Sequence, residues 1–227
     1  MTTINIKDRL LSKNDQFALA NREIFDRHGI WCCNLISAPG SGKTTLIERT
    51  VDHFADRLNI GALVGDLDTE NDSRRIAAHG VPVYQIITGG ACHLNARTIG
   101  EFIPRFNLDQ LEVLIIENVG NLVCPTSYYL GEHHRVSLIS TPEGDDKPVK
   151  YPGAMHTSDA VLFTKTDLVP YVDFNLKAAS ENALKIESSL AVMALSAKTG
   201  EGMETWFDWF ESHAKKHSSP DKSQHRQ

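Results

Sequence analysis

The sequence predicts an α/β fold, a doubly wound and mainly parallel sheet with helices on both faces. Three observations predict it. Short apolar runs alternate with longer stretches of helical periodicity along most of the chain. Several runs, VLII and AVLF among them, are apolar at every position, as strands covered on both faces must be. The first run leads straight into a Gly-rich turn and then a helical pattern.

Taken in order, residues 8–28 read as an amphipathic helix with Phe17, Ala20 and Ile24 on one stripe, ended by Gly29. Strands are expected at 31–36, 60–64, 81–87, 111–116, 136–139, 160–163 and 190–195. Helices are expected at 43–58, 70–79, 94–103, 173–186 and 203–216. The tail HSSPDKSQHRQ is polar and expected to be disordered. This divides the chain into an N-terminal helix over 1–29 that packs on the main domain, a domain over 30–216, and a tail over 217–227.

With 41% hydrophobic residues, the 227-residue chain can bury one sizeable core. A net charge of −6 gives no electrostatic reason to expect nucleic acid or a membrane surface as partner. No apolar run nears the roughly 20 residues needed to span a bilayer. The opening MTTINIKDRLLSKNDQ lacks the apolar segment of a secretory leader, so a cytoplasmic location is expected. Four cysteines are too few and too oddly placed for a disulfide framework. Cys32 and Cys33 fall inside a strand and read as core. His133 and His134 read as solvated turn residues before a strand.

The turn after the first strand is SAPGSGKTT. Gly42-Lys43-Thr44 ends a G-x-x-x-x-G-K-[ST] pattern in which Ser37 replaces the first glycine. Such a loop, here with Gly40, Ser41, Gly42, Lys43, Thr44 and Thr45, wraps phosphate oxygens in backbone N–H groups. Lys43 would reach the β- and γ-phosphates, and the Thr44 hydroxyl would join a Mg²⁺ shell. A carboxylate at a neighbouring strand end should complete that shell. Glu117, in Glu117-Asn118-Val119-Gly120, and Asp66 are the candidates. Asp68 follows Asp66, while Glu70 and Asp72 read as acids complementing a helix N-terminus.

Thr164-Lys165-Thr166-Asp167 has the form of an N-K-x-D guanine motif with Thr for Asn. Asp167 could accept guanine N1–H and N2–H together, a pairing adenine cannot make. Lys165 would pack its stem over the base. Ser196-Ala197-Lys198 follows a later strand, placed for the Ala197 N–H to meet guanine O6. GTP is therefore the expected nucleotide. Cys92 and His93 in TGGACHLNA, with Cys124 in ENVGNLVCP, form a soft donor set suited to Ni²⁺ or Zn²⁺ and not to Mg²⁺.

The segments NLISAPGSGKTTLIE, GDLDTENDSRRI, GGACHLNA, IIENVGNLVCP, EGDDKPVKYP, TKTDLVPY and ALSAKTGEGM occur in this order. Together they resemble the hydrogenase nickel-incorporation GTPases, the HypB family, over roughly residues 8–215. The resemblance implies a GTP-dependent homodimer with an interfacial metal site, here Cys92, His93 and Cys124. It also implies nickel delivery to the [NiFe] hydrogenase large subunit, alongside a partner zinc or nickel maturation protein. In a dimer, Lys147 or Lys150 of KPVK is expected to reach the nucleotide of the opposite protomer, because SAPGSGKT carries a single lysine. Many members carry an N-terminal cysteine cluster or a histidine-rich stretch. No cysteine precedes Cys32 here and no such stretch occurs, so the Cys92 site is expected to carry the metal chemistry. No water-orienting Gln follows Gly120, and intrinsic hydrolysis should be slow. Two alternatives stand beside this reading: a nucleotide-gated metal-binding module with negligible turnover, and a nickel accessory GTPase for another client such as urease.

Overall fold

The structure, a computed structural model, describes residues 12–67 and 70–217. Asp68, residues 8–11 of the first expected helix, and the tail from 218 onward lie outside the described residues. Ser12 opens helix α1 (Lys13–His28): its Oγ accepts from the Asp15 N–H while Asp15 accepts from the Ser12 N–H, a reciprocal cap. Left-handed Gly29 ends it. Then follow β1 (Trp31–Ser37), α2 (Lys43–Phe54), β2 (Ile60–Asp66), α3 (Asn71–Ala77), β3 (Val83–Ile87), α4 (Ala96–Phe102), β4 (Val113–Glu117) and β5 (His134–Ser140). Short α5 (Lys147–Lys150) and α6 (Pro152–His156) precede β6 (Ala160–Thr164), α7 (Leu176–Ile186), β7 (Ala191–Leu195) and α8 (Met203–His217).

All seven expected strands are present, and they form one parallel sheet in the order β3-β2-β4-β1-β5-β6-β7. Central β1 is fully buried, and its side chains alternate between two cores. Cys33 and Leu35 join α2 and α8 on one face, while Cys32 joins Phe25 of α1, Ile99 of α4 and Leu114 on the other. Both cysteines are core, as expected, and burial pushes both thiols well above their usual range. The chain winds from β1 towards β2 on one side and from β5 towards β7 on the other. Ligands in such sheets bind at the carboxyl ends of the strands beside this reversal, which sets the site at the ends of β1 and β4. Among the described residues no helix is long and apolar enough to cross a membrane.

Three expectations need correction. The buried face of α1 is Ala18, Asn21 and Phe25, whereas Phe17 is 44% exposed and Ala20 is exposed. An apolar stripe misses this face because its middle member is polar. Asn21 is buried because its amide donates to the carbonyls of Ala96 (2.7 Å) and Leu130 (2.9 Å). Second, α5 and α6 fill a stretch without helical periodicity. Each is about one turn with a proline at its start, Pro148 second in α5 and Pro152 first in α6, where a fixed φ suits the first turn.

Third, His133 and His134 are not solvated turn residues. The His133 side chain is fully buried; Nδ1 accepts from the Cys32 N–H (2.9 Å) and Nε2 faces Asp26 Oδ1 (2.8 Å). His134 begins β5, and its Nδ1 accepts from Trp31 Nε1 (2.8 Å). Burial above all pushes His133 down to about 4, against the hydrogen bond to Asp26, and His134 to about 3, with the histidines around it adding to the effect. Both are neutral in the fold, while an unfolded histidine titrates near 6.5. As pH falls below about 6.5 the unfolded chain takes up protons that these imidazoles refuse, so stability declines until about pH 4 and 3, where the folded rings titrate. The ceiling at pH 5 is about 2 kcal/mol per imidazole, lowered by solvent screening. Urea midpoints at pH 7 and pH 5 should therefore differ less in His134→Gln than in the parent chain. An equal difference would place the acid sensitivity elsewhere.

Candidate functional site

β1 ends at Ser37, and the chain turns into α2 through Gly40 (φ 74°) and Gly42 (φ 97°), left-handed values that favour glycine. Ser37 keeps a φ outside that region, so a serine fits where the motif has glycine. Its Oγ accepts from Lys43 Nζ at 2.8 Å, which parks the lysine. Lys43 is buried; desolvation lowers its pKa, opposed by the carboxylates of Glu117, Asp72, Glu143 and Asp66. Thr44 Oγ1 donates to Glu117 Oε1 (2.9 Å). Glu117 is buried with Oε2 unpartnered, and burial pushes its carboxyl up to about 7 despite the pull of Lys43. An orphaned carboxylate oxygen beside a hydroxyl and near a second acid is a hard-oxygen set. Thr44, Asp66 and Glu117 thus fit Mg²⁺.

These residues line a cavity of about 400 Å³, with Gly40, Gly42, Asp72, Arg75 and Asn118. Gly120 closes it: a Cβ there would lie 2.9 Å from the Pro39 ring and 3.0 Å from its backbone, so only glycine lets the segment after β4 press on the phosphate loop. Asp72 and Arg75 are additions to the expected site. Asp72 keeps its place in the first turn of α3 yet also lines the cavity. Arg75 is held by Glu48 (2.7 and 2.9 Å) and donates to Thr45 Oγ1 (3.1 Å). No sequence pattern marks Arg75, because its place depends on how α3 packs on α2.

A second cavity of about 250 Å³ shares Gly42, Thr45 and Lys165 with the first, so the two are continuous. Ser41, Asp167, Ser196, Ala197 and Lys198 line it. Asp167 Oδ1 accepts from Ser196 Oγ (2.6 Å), which brings together two motifs distant in sequence. Lys165 is the one non-glycine among the described residues with a left-handed φ, 59°, a strain typical of functional loops. Thr164 Oγ1 donates to the Ser41 carbonyl (2.7 Å), tying the base-side strand to the phosphate loop. Arg49 of α2, unmarked in the sequence, holds the carbonyls of Ala197 (2.8 Å) and Lys198 (3.1 Å). Lys147 and Lys150 line neither cavity: Lys150 pairs with Asp146, and Lys147 lies over the Tyr151 ring.

Beyond β4, Asn121 Oδ1 accepts the N–H groups of Val123 (2.7 Å) and Cys124 (3.2 Å) and fixes the 3-10 turn that Cys124 begins. Cys124 Sγ stands 2.7 Å from Cys92 Sγ, which is 3.8 Å from His93 Nδ1. The hydrogen bond from Cys92, more than burial, raises the Cys124 thiol, while burial lowers His93. His93 is stacked on Tyr128 with centroids 3.8 Å apart. Two sulfurs and an imidazole within 4.8 Å of one another form a set for a borderline or soft cation, and three ligands leave room for a fourth. Asp26, His133 and His217 are as close together. There, however, His133 accepts at Nδ1, which leaves its proton on Nε2 facing Asp26 and no lone pair for a metal.

The family model for the CobW/HypB/UreG nucleotide-binding domain matches residues 32–194. A hydrogenase maturation factor HypB from Rhizobium leguminosarum bv. viciae is 44% identical over 208 residues, 92% of this chain and 70% of the relative. A hydrogenase/urease maturation factor HypB from Helicobacter hepaticus is 41% identical, over 92% of this chain and 87% of the relative. Among solved structures, HypB from Archaeoglobus fulgidus superposes with a TM-score of 0.85 at 35% identity, covering 90% of this chain and all of the other. HypB from Helicobacter pylori in complex with nickel superposes with a TM-score of 0.85 at 36% identity, over 93% of this chain and all of the other.

Proposed function

This chain belongs to the CobW/HypB/UreG nucleotide-binding family and, within it, to the HypB hydrogenase maturation factors, and from that premise we propose that it is a GTP-hydrolysing nickel carrier that helps load the large subunit of [NiFe] hydrogenase. One observation carries the reading. Glu117 bonds Thr44 inside the phosphate cavity, and Cys124, a metal ligand, lies only seven residues further along the same chain. Contacts that order Asn118–Gly120 around a γ-phosphate must therefore pull on the thiolate.

The chain's own residues divide the work. Asp167, with its partner Ser196, accepts the guanine edge, and Lys165 forms the wall shared by base and phosphates. Lys43 leaves Ser37 for the β/γ-phosphates and stabilises charge as it develops there. Thr44, Asp66 and Glu117 hold Mg²⁺, which supplies charge neutralisation at the transferred phosphate. Turnover by the isolated chain is slow. Cys92, His93 and Cys124 hold Ni²⁺ as cargo, or Zn²⁺, and give it up when hydrolysis relaxes the tether.

A second copy docks on the metal-bearing edge. Leu67 (48%), Ile87 (55%) and Val123 (59%) are exposed there, Val123 next to Cys124. Lys147 or Lys150 then acts across the dimer on the partner's nucleotide. The other partners are a zinc or nickel maturation protein and the hydrogenase subunit, all in the cytoplasm.

The test is a titration of Ni²⁺ and of Zn²⁺ into nucleotide-free, GDP and non-hydrolysable GTP forms. One metal per protomer is expected, with an affinity that changes between GDP and GTP forms by about 5–150-fold. The same affinity and coordination spectrum in all three would leave a GTPase and a metal site that share a chain but no mechanism.

A further inference from the structure

Behind the metal site lies a chain of polar side chains in a part of the sheet that is otherwise apolar. Asn34, in the middle of β1, is fully buried, and Asn118, Glu132 and Arg135 are 1–5% exposed. Asn118 Nδ2 donates to Asn34 Oδ1 (3.3 Å), and Asn34 Nδ2 donates to Glu132 Oε1 (3.1 Å). The same Oε1 accepts from Arg135 Nε (2.9 Å) and Nη2 (2.6 Å). The network is anchored at both ends in the functional loops. Asn118, one residue after Glu117, lines the phosphate cavity, and its Oδ1 accepts both from Val119 N–H (3.0 Å) and from Leu94 N–H (3.1 Å), the residue after His93. At the far end Arg135 donates to the carbonyls of Thr126 (3.3 Å) and Tyr128 (3.0 Å), just beyond Cys124, and the Tyr128 ring stacks on His93.

We propose that Asn118, Asn34, Glu132 and Arg135 form a buried relay that transmits the state of the nucleotide cavity to Cys92, His93 and Cys124, with Asn34, Glu132 and Arg135 as positioning residues. This rests on the reading of that cluster as a nucleotide-gated metal site. Every member is buried, so none can shift without leaving a polar atom unpaired unless its neighbours shift with it. A movement of Asn118 when the segment Glu117–Gly120 meets a γ-phosphate is thus felt at once on both sides of the metal site. Leu94 carries it to His93, and Arg135 carries it to the turn that holds Cys124. The covalent tether from Glu117 to Cys124 reaches only one of the three ligands; the relay reaches His93 as well.

Two variants test this without touching a metal ligand or a phosphate contact. Asn34→Leu cuts the relay at its centre while Arg135 still pairs with Glu132. Glu132→Gln combined with Arg135→Met removes the charged pair together, so that neither charge is left buried alone. For each, Zn²⁺ affinity is measured by competition with a chromophoric chelator in the GDP–Mg²⁺ form and in the form with a non-hydrolysable GTP analogue and Mg²⁺. The parent chain should show a ratio of about 5–150-fold between the two forms, and the variants a ratio near 1, with analogue affinity unchanged as the sign of an intact fold. A purely structural role would weaken Zn²⁺ binding equally in both forms and preserve the ratio; that result in a folded variant overturns the relay. Equal affinities in the parent chain overturn the gating reading itself, and the relay with it.

Discussion

Replacing Lys43 by alanine should lower GTP turnover by on the order of 10²–10³-fold or more, the scale seen when one preorganised donor is taken from a developing oxyanion. The expectation rests on how the cations at the phosphate cavity are engaged. Arg75 is locked by two bonds to Glu48, and Lys165 belongs to the wall shared with the base. Lys43 is held by a neutral hydroxyl, that of Ser37, and loses little by leaving it. Single-turnover assays at saturating GTP, with calorimetry of GTP binding, separate chemistry from affinity. Turnover within tenfold of the parent chain would move the role to Arg75.

Serine at both Cys92 and Cys124 should abolish transition-metal binding by this cluster. Changes that merely disturb a ligand's hydrogen bonds cost about 10–100-fold in affinity, and removal of both thiolates goes beyond that. In the parent chain, affinity should also fall as pH falls, because both sulfurs must lose protons to bind. The Cys124 thiol, raised by the hydrogen bond from Cys92, carries this dependence further towards alkaline pH. Metal content after dialysis, measured at several pH values with and without the substitutions, checks both points. A Cys92→Ser/Cys124→Ser chain that kept one Ni²⁺ per protomer would move the cargo site elsewhere.

What the sequence made legible was whatever is written in contiguous residues. The strands were visible because parallel strands covered on both faces are buried along their whole length and so mostly apolar, as β1 and β4 are here. The phosphate loop and the two base loops were visible because each is a local motif after a strand, and Ser196 proved to bond Asp167. The replacement of Asn by Thr164 was harder to judge, since its partner, the Ser41 carbonyl, is remote in sequence. Arg75, Arg49 and the members of the relay were not legible for the same reason. Each owes its role to a partner brought near by packing, as Asn34 does to Glu132 and Asn118. One signal was available: a lone Asn inside WCCNLIS is a polar group in a strand otherwise fit only for the core. The histidines failed differently, because a turn's polarity in sequence says nothing about the helix that covers it; α8 brings His213 and His217 over His133 and His134.

The aromatic rings of α8 also determine what light can report about this protein. Its three tryptophans, Trp31, Trp206 and Trp209, form one cluster, Trp206 stacked on Trp209 and Trp31 edge-on to it, with centroids 5.5 and 6.0 Å apart, bordered by His134 and His213. None of them lines either nucleotide cavity or touches Cys92, His93 or Cys124. Intrinsic tryptophan emission therefore reports on the seam between α8 and β1, away from Cys92, His93 and Cys124. Tyr128, stacked on His93, is the fluorophore beside that cluster. A metal titration followed by tryptophan emission is thus no direct reading of occupancy at Cys92 and Cys124.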